Sequence, residues 1–136
     1  MASILKVDEL QGIISAGDIT VTSEGGSATQ SLQQGLAKAW VNFNGTGTIA
    51  SQDSLNLSSL TDNGAGNYTS TFSNALSTDN HSASFYANYS SGWGNSCYEA
   101  GRSTTTHQGR VVNNQIAGGG GDDASECSLI IMGDLA

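Results

Sequence analysis

Two histidines, two cysteines and two loop clusters of acidic and amide residues are the side chains here whose types could do chemistry. His81 and His107 stand in Asn80-His81-Ser82 and Thr106-His107-Gln108, far apart in sequence. A shared metal or acid-base role would need a third partner that no adjacent motif supplies, so both read as exposed polar residues of loops or strands. Cys97 and Cys127 are too few for a disulfide framework or a Cys-based zinc site. They read as reduced, partly buried thiols, with a bond formed after cell lysis as the sharper alternative. Asp62, Asn63 and Asn67 offer oxygens to Ca²⁺, but their spacing matches no standard loop and the same residues are explained as a turn. Asp122, Asp123 and Glu126, beside Gly118 to Gly121, read as a solvated loop. No nucleophile elbow, phosphate loop, dinucleotide fingerprint or zincin motif occurs. The expectation is therefore a protein that is not an enzyme and holds no cofactor and no metal.

Charge narrows the partners. Twelve acidic residues against four basic give a formal charge of -8, the wrong sign for a phosphate backbone or an anionic lipid surface. No nucleic-acid and no membrane partner is expected. The N-terminus lacks the basic region and apolar run of a secretory signal, and no stretch approaches the roughly 20 apolar residues of a membrane span. Synthesis in a cytoplasm follows as the expectation. Asn44, Asn56, Asn67, Asn80 and Asn88 all sit in N-x-[ST] form, as composition alone would produce in so Asn/Ser/Thr-rich a chain.

The elements that must position these residues are short. Leu, Ile, Val and Phe together make 26 of 136 residues, a thin core for one domain, so part of the stability is expected to come from contacts between chains. Residues 1 to 37 read as an N-terminal arm. Leu5 and Val7 alternate with Lys6 and Asp8, Ile19 and Val21 with Thr20 and Thr22, and Ala28 to Ala37 offers at best one or two helical turns. Ile4, Leu5, Val7, Leu10, Ile13 and Ile14 are too few and too broken to form a core of their own, which marks them as attachment residues.

Residues 38 to 136 read as a β domain. Val41 and Phe43, Leu55 and Leu57, Tyr68 to Phe72, and Phe85 to Tyr89 alternate with polar neighbours, as half-buried strands do. Asn63-Gly64 is a type I′ hairpin signal, placing a hairpin over residues 53 to 73. Arg110 to Ile116 is a weaker strand. Leu129, Ile130, Ile131 and Met132 are apolar on both faces, the mark of a central strand or of one with its second face against a neighbouring subunit. Tyr86, Tyr89, Trp93 and Tyr98 read first as core fillers, then as interface anchors, and last as a sugar-stacking surface. About six to eight strands with frequent turns predict an all-β fold, a small antiparallel β-sandwich or jelly-roll-like domain with an extended arm.

Lys38-Ala39-Trp40-Val41-Asn42-Phe43-Asn44-Gly45-Thr46-Gly47-Thr48, then Asp53-Ser54-Leu55-Asn56-Leu57-Ser58-Ser59, Asp62-Asn63-Gly64 and Gly66-Asn67-Tyr68, resemble a module of tailed-bacteriophage virion surface proteins. Ile4 to Gln11 and Thr29 to Leu36 are similar to stretches preceding that module, while Ser51-Gln52 departs from a frequent Ile-Arg pair. The resemblance implies a structural protein on the outer surface of a virion. A homotrimeric capsid decoration, or cement, protein bound to the major capsid protein is the first expectation. A short tail fibre or adhesin, bound to a tail protein, is the alternative. The family offers no catalytic residues to carry over.

Overall fold

The computed structural model describes residues 4–13, 19–88, 95–114 and 120–136. The chain divides into two compact units, Met1–Leu36 and Ala37–Ala136, and among the described residues every regular element is a β-strand.

In the first unit β1 (Thr20–Thr22) and β2 (Thr29–Ser31) pair antiparallel. Their connection is closed by Ser23 N donating to Ala28 O at 2.8 Å. Of the one or two helical turns expected at best over Ala28 to Ala37, a single one forms. Thr29–Ser31 is taken by the hairpin, and only one turn follows, closed by Gly35 N to Ser31 O at 3.1 Å. With so few residues left before the next strand, nothing propagates a helix past its costly nucleus. The alternation at Leu5 to Asp8 likewise gives no strand, because residues 4–13 have no ladder to join.

The second unit is an antiparallel sandwich. One sheet has the order β4 (Ala50–Leu55), β3 (Ala37–Asn44), β11 (Glu126–Met132), β7 (Ser82–Asn88). The other runs β5 (Leu57–Asp62), β6 (Asn67–Phe72), β9 (Thr106–Asn113), β8 (Asn95–Arg102), with the two-residue β10 (Gly120–Gly121) continuing β6's side of β9. Alternation sends Ala39, Val41 and Phe43 of β3 and Cys127, Leu129 and Ile131 of β11 inward, against Tyr68 and Phe72 of β6 and Val111 of β9. Phe43 and Tyr68 meet edge to face with ring centroids 5.2 Å apart, a geometry worth about 0.5–1.5 kcal/mol beyond burial.

Leu55 and Leu57 do not share a strand as their spacing predicts. Asn56 has φ 56°, and this single left-handed residue ends β4 in one sheet and starts β5 in the other. The expected hairpin over 53 to 73 is therefore β5–β6 alone, from Leu57 to Phe72. Its connection is a four-residue loop, with Asn63 N bonded to Asn67 O and Asn67 N to Gly64 O. Gly64 and Gly66 take the positive φ values, 111° and 65°, while Asn63 does not. A type I′ turn needs both Asn63 and Gly64 there, so the loop differs from the predicted turn. Arg110 to Val112 are the second half of β9; Ile116 lies outside the described residues.

Candidate interaction surfaces

Several of the arm's large apolar side chains stand in the open. Ile4 and Leu5 are each 79% exposed, Val7 and Leu10 more than half, and Ile13 fully. Ile14 lies outside the described residues. Contiguous exposed apolar side chains, unlike single ones, are uncommon on the surface of a free protein.

A second apolar surface lies on the outer face of the β4-β3-β11-β7 sheet. Strand register lines up Leu55, Trp40, Ile130 and Ser84 in one row and Asp53, Asn42, Ser128 and Tyr86 in the next. Ile130 is 44% and Tyr86 57% exposed. Within the second row, Asn42 Nδ2 donates to Ser128 Oγ at 3.1 Å, from β3 to β11. Trp40, Tyr86 and Ile130 border a shallow groove of about 350 Å³.

The predicted interface residues are thus divided by strand phase. Leu129 and Ile131 are core, Ile130 faces solvent, and Met132 is half-buried on the outward phase. Tyr98 is exposed on β8 of the other sheet, opposite Arg110, and does not join Ile130. Trp93 and Tyr89 lie outside the described residues. The core-filling expectation fails for Tyr86 and Tyr98; Phe43, Tyr68 and Phe72 fill the interior. Trp40 was the residue missed, although inward Val41 already fixes its outward phase. Ser51 and Gln52 lie exposed on edge strand β4, with Gln52 unpaired at a bulge.

Chemistry-bearing residues are largely absorbed by structure. Asp62 Oδ1 accepts from Gly64 N, and Asn63 Nδ2 donates to Thr69 Oγ1, both at 2.8 Å, as turn residues do. The solvated-loop expectation for Asp123 is corrected. Its Oδ1 accepts from Gly66 N at 2.8 Å and the Tyr68 hydroxyl at 3.0 Å, while Ala124 N donates to that hydroxyl. Asp122 accepts from Asn113. These loops tie β6 to the segment preceding β11, and burial raises the Tyr68 hydroxyl's pKa far above its usual value.

The histidines are the larger correction, because both are buried: His81 is 4% and His107 1% exposed. His107 shares the inward phase of β9 with Gly109 and Val111. His81 immediately precedes β7, and its carbonyl accepts from Arg102 Nη1 at 2.6 Å. Cys97 and Cys127 are free thiols. Burial raises the Cys97 pKa and pushes Cys127 up to about 12, leaving little thiolate for nucleophilic chemistry. Among the described residues no three His, Cys, Asp or Glu side chains are grouped to hold a metal ion.

Comparison with protein-family models, with curated proteins and with solved structures returned no match.

Proposed function

We propose that this chain is a non-enzymatic structural protein of a tailed-bacteriophage particle, a capsid decoration protein that binds the major capsid protein on the outer head surface and stabilises it. The observation that carries this reading is the arm, which presents Ile4, Leu5, Val7, Leu10 and Ile13 to solvent, in a chain whose second unit has a packed core of its own. A segment of this kind gains stability only by lying on another surface, and a subunit shell offers a long one. The resemblance of residues 38 to 68 to virion surface modules supports the same reading. The acidic charge disfavours nucleic acid. The outer-face row of Leu55, Trp40 and Ile130 is the surface we assign to neighbouring copies in a homotrimer, where burying aromatic and aliphatic side chains adds the stability that a thin core lacks.

Counting copies in purified virions by quantitative mass spectrometry tests the location. A number that scales with the major capsid protein is expected. A number matching a single tail assembly would replace decoration with the tail fibre or adhesin reading, and absence from virions would remove both.

A further inference from the structure

The edge where β7 of one sheet meets β8 of the other is built unlike the rest of the interior. A cavity of about 160 Å³ lies there, lined by Ala83, Phe85, Cys97, Tyr98, Glu99 and His107. His107 and His81 stand with ring centroids 6.0 Å apart, and none of their four ring nitrogens meets hydrogen-bond geometry with a partner among the described residues. A buried polar atom without a partner is costly and a buried charge without one far more so, so two imidazoles left this way are tolerable only while both are neutral. Glu99 Oε2 lies 3.7 Å from His107 Nδ1, but Glu99 Oε1 is already held by Arg102 Nε at 2.6 Å. Arg102 in turn ties β8 to the start of β7 through the His81 carbonyl.

We infer that this seam is an acid-sensitive latch: protonation of the buried His81–His107 pair separates β7 from β8 at this edge while the β4 and β5 edge stays closed. Several charged groups face the pair. Arg102 of β8 opposes a proton on either ring, and His81 opposes one on His107. Glu99 of β8 favours the charged forms, as do Asp79 and the Thr78 backbone, which lie before β7, for His81. Burial outweighs these, depressing His81 and holding His107 down at about 4.

A histidine whose folded pKa lies below its ordinary value of about 6.5 binds fewer protons folded than open. The closed seam is then fully favoured above pH 6.5, loses its advantage as pH falls from 6.5 towards 4, and loses no more below that. Opening at pH 4.5 relative to pH 7 should rise at least about tenfold from His107 alone.

Hydrogen exchange of the full chain between pH 7 and pH 4.5, corrected for intrinsic rates, reads this strand by strand. Amides of Ser82–Phe85 and Glu99–Arg102 should lose at least about tenfold in protection, with β3, β4, β5 and β6 unchanged. Cys97 should become labelled by a dithiodipyridine reagent over the same pH range. His107→Leu should flatten both responses, and His81→Asn should reduce them if the first variant does not fold. Uniform loss of protection in all strands, no loss at all, or an unchanged response in the folded variant would overturn the latch. So would a stoichiometric gain in melting temperature with Zn²⁺, which would make the pair a metal site.

Discussion

Replacing Gly66 with valine should prevent the sandwich from folding, whereas the same change two residues earlier should only weaken it. Gly66 has φ 65°, and a Cβ there would run into the Val111 carbonyl oxygen and sit 2.7 Å from both the nitrogen and the oxygen of Asp122. All of these are backbone atoms, so relief would require moving β9 or the loop before β11. The Gly66 backbone also accepts from Val111 N at 2.7 Å and donates to Asp123 at 2.8 Å. Left-handed strain, a backbone clash and two displaced hydrogen bonds together should cost at least about 4 kcal/mol, most of the stability of a small domain. Gly64, at φ 111°, has nothing within 4 Å of its Cβ position. Gly64→Val therefore carries only the conformational cost, about 1–3 kcal/mol. Thermal unfolding followed by circular dichroism separates the two. Equal melting temperatures would mean that the loop does not pack against β9 as described.

Asn56→Ala should lower stability by about 2–4 kcal/mol, and Asn56→Gly should recover about 1 kcal/mol of that loss. The backbone at Asn56 is left-handed, which asparagine tolerates and alanine does not. Its side chain closes the crossover between sheets. Nδ2 donates to the carbonyls of Lys38 and Asn74, each at 3.1 Å, and Oδ1 accepts from Asn74 N at 2.7 Å. Glycine restores the φ angle without the hydrogen bonds, so the difference between the two variants isolates the backbone contribution. Denaturant midpoints should fall in the order wild type, Asn56→Gly, Asn56→Ala. An alanine variant as stable as wild type would show that the crossover is held elsewhere.

The strands at Val41 and Phe43, at Tyr68 to Phe72 and at Leu129 to Met132 were legible because apolar residues alternate there, and alternation follows from the pleat. The change of sheet at Asn56 was not, since Leu55 and Leu57 keep the same spacing through it and only a backbone dihedral reverses. β8 and the burial of His107 were hidden for another reason. Cys97 and Glu99 on the inward phase, opposite Val111 and Gly109, give no apolar alternation, and polarity argued for exposure. Val111, fully buried on β9, was the available clue, because its phase carries back through Gly109 to His107. Gly109 has no Cβ for a similar local reason: one would stand 2.8–2.9 Å from the Phe85 ring. Of the interaction surfaces, the arm's apolar residues were readable individually. The row joining Leu55, Trp40 and Ile130 was not, as it depends on the register of three strands distant in sequence.

Attachment through the arm is tested most directly by adding a chain lacking residues 1 to 14 to virions stripped of the protein and measuring occupancy beside the full-length chain. The truncated protein should remain folded and trimeric, since its sandwich core is untouched, yet bind particles at no more than a few per cent of full occupancy. Losing five exposed apolar anchors at about 1–2 kcal/mol each accounts for a decrease of that size. Full occupancy by the truncated chain would contradict the account and move the docking surface to residues 38 to 136.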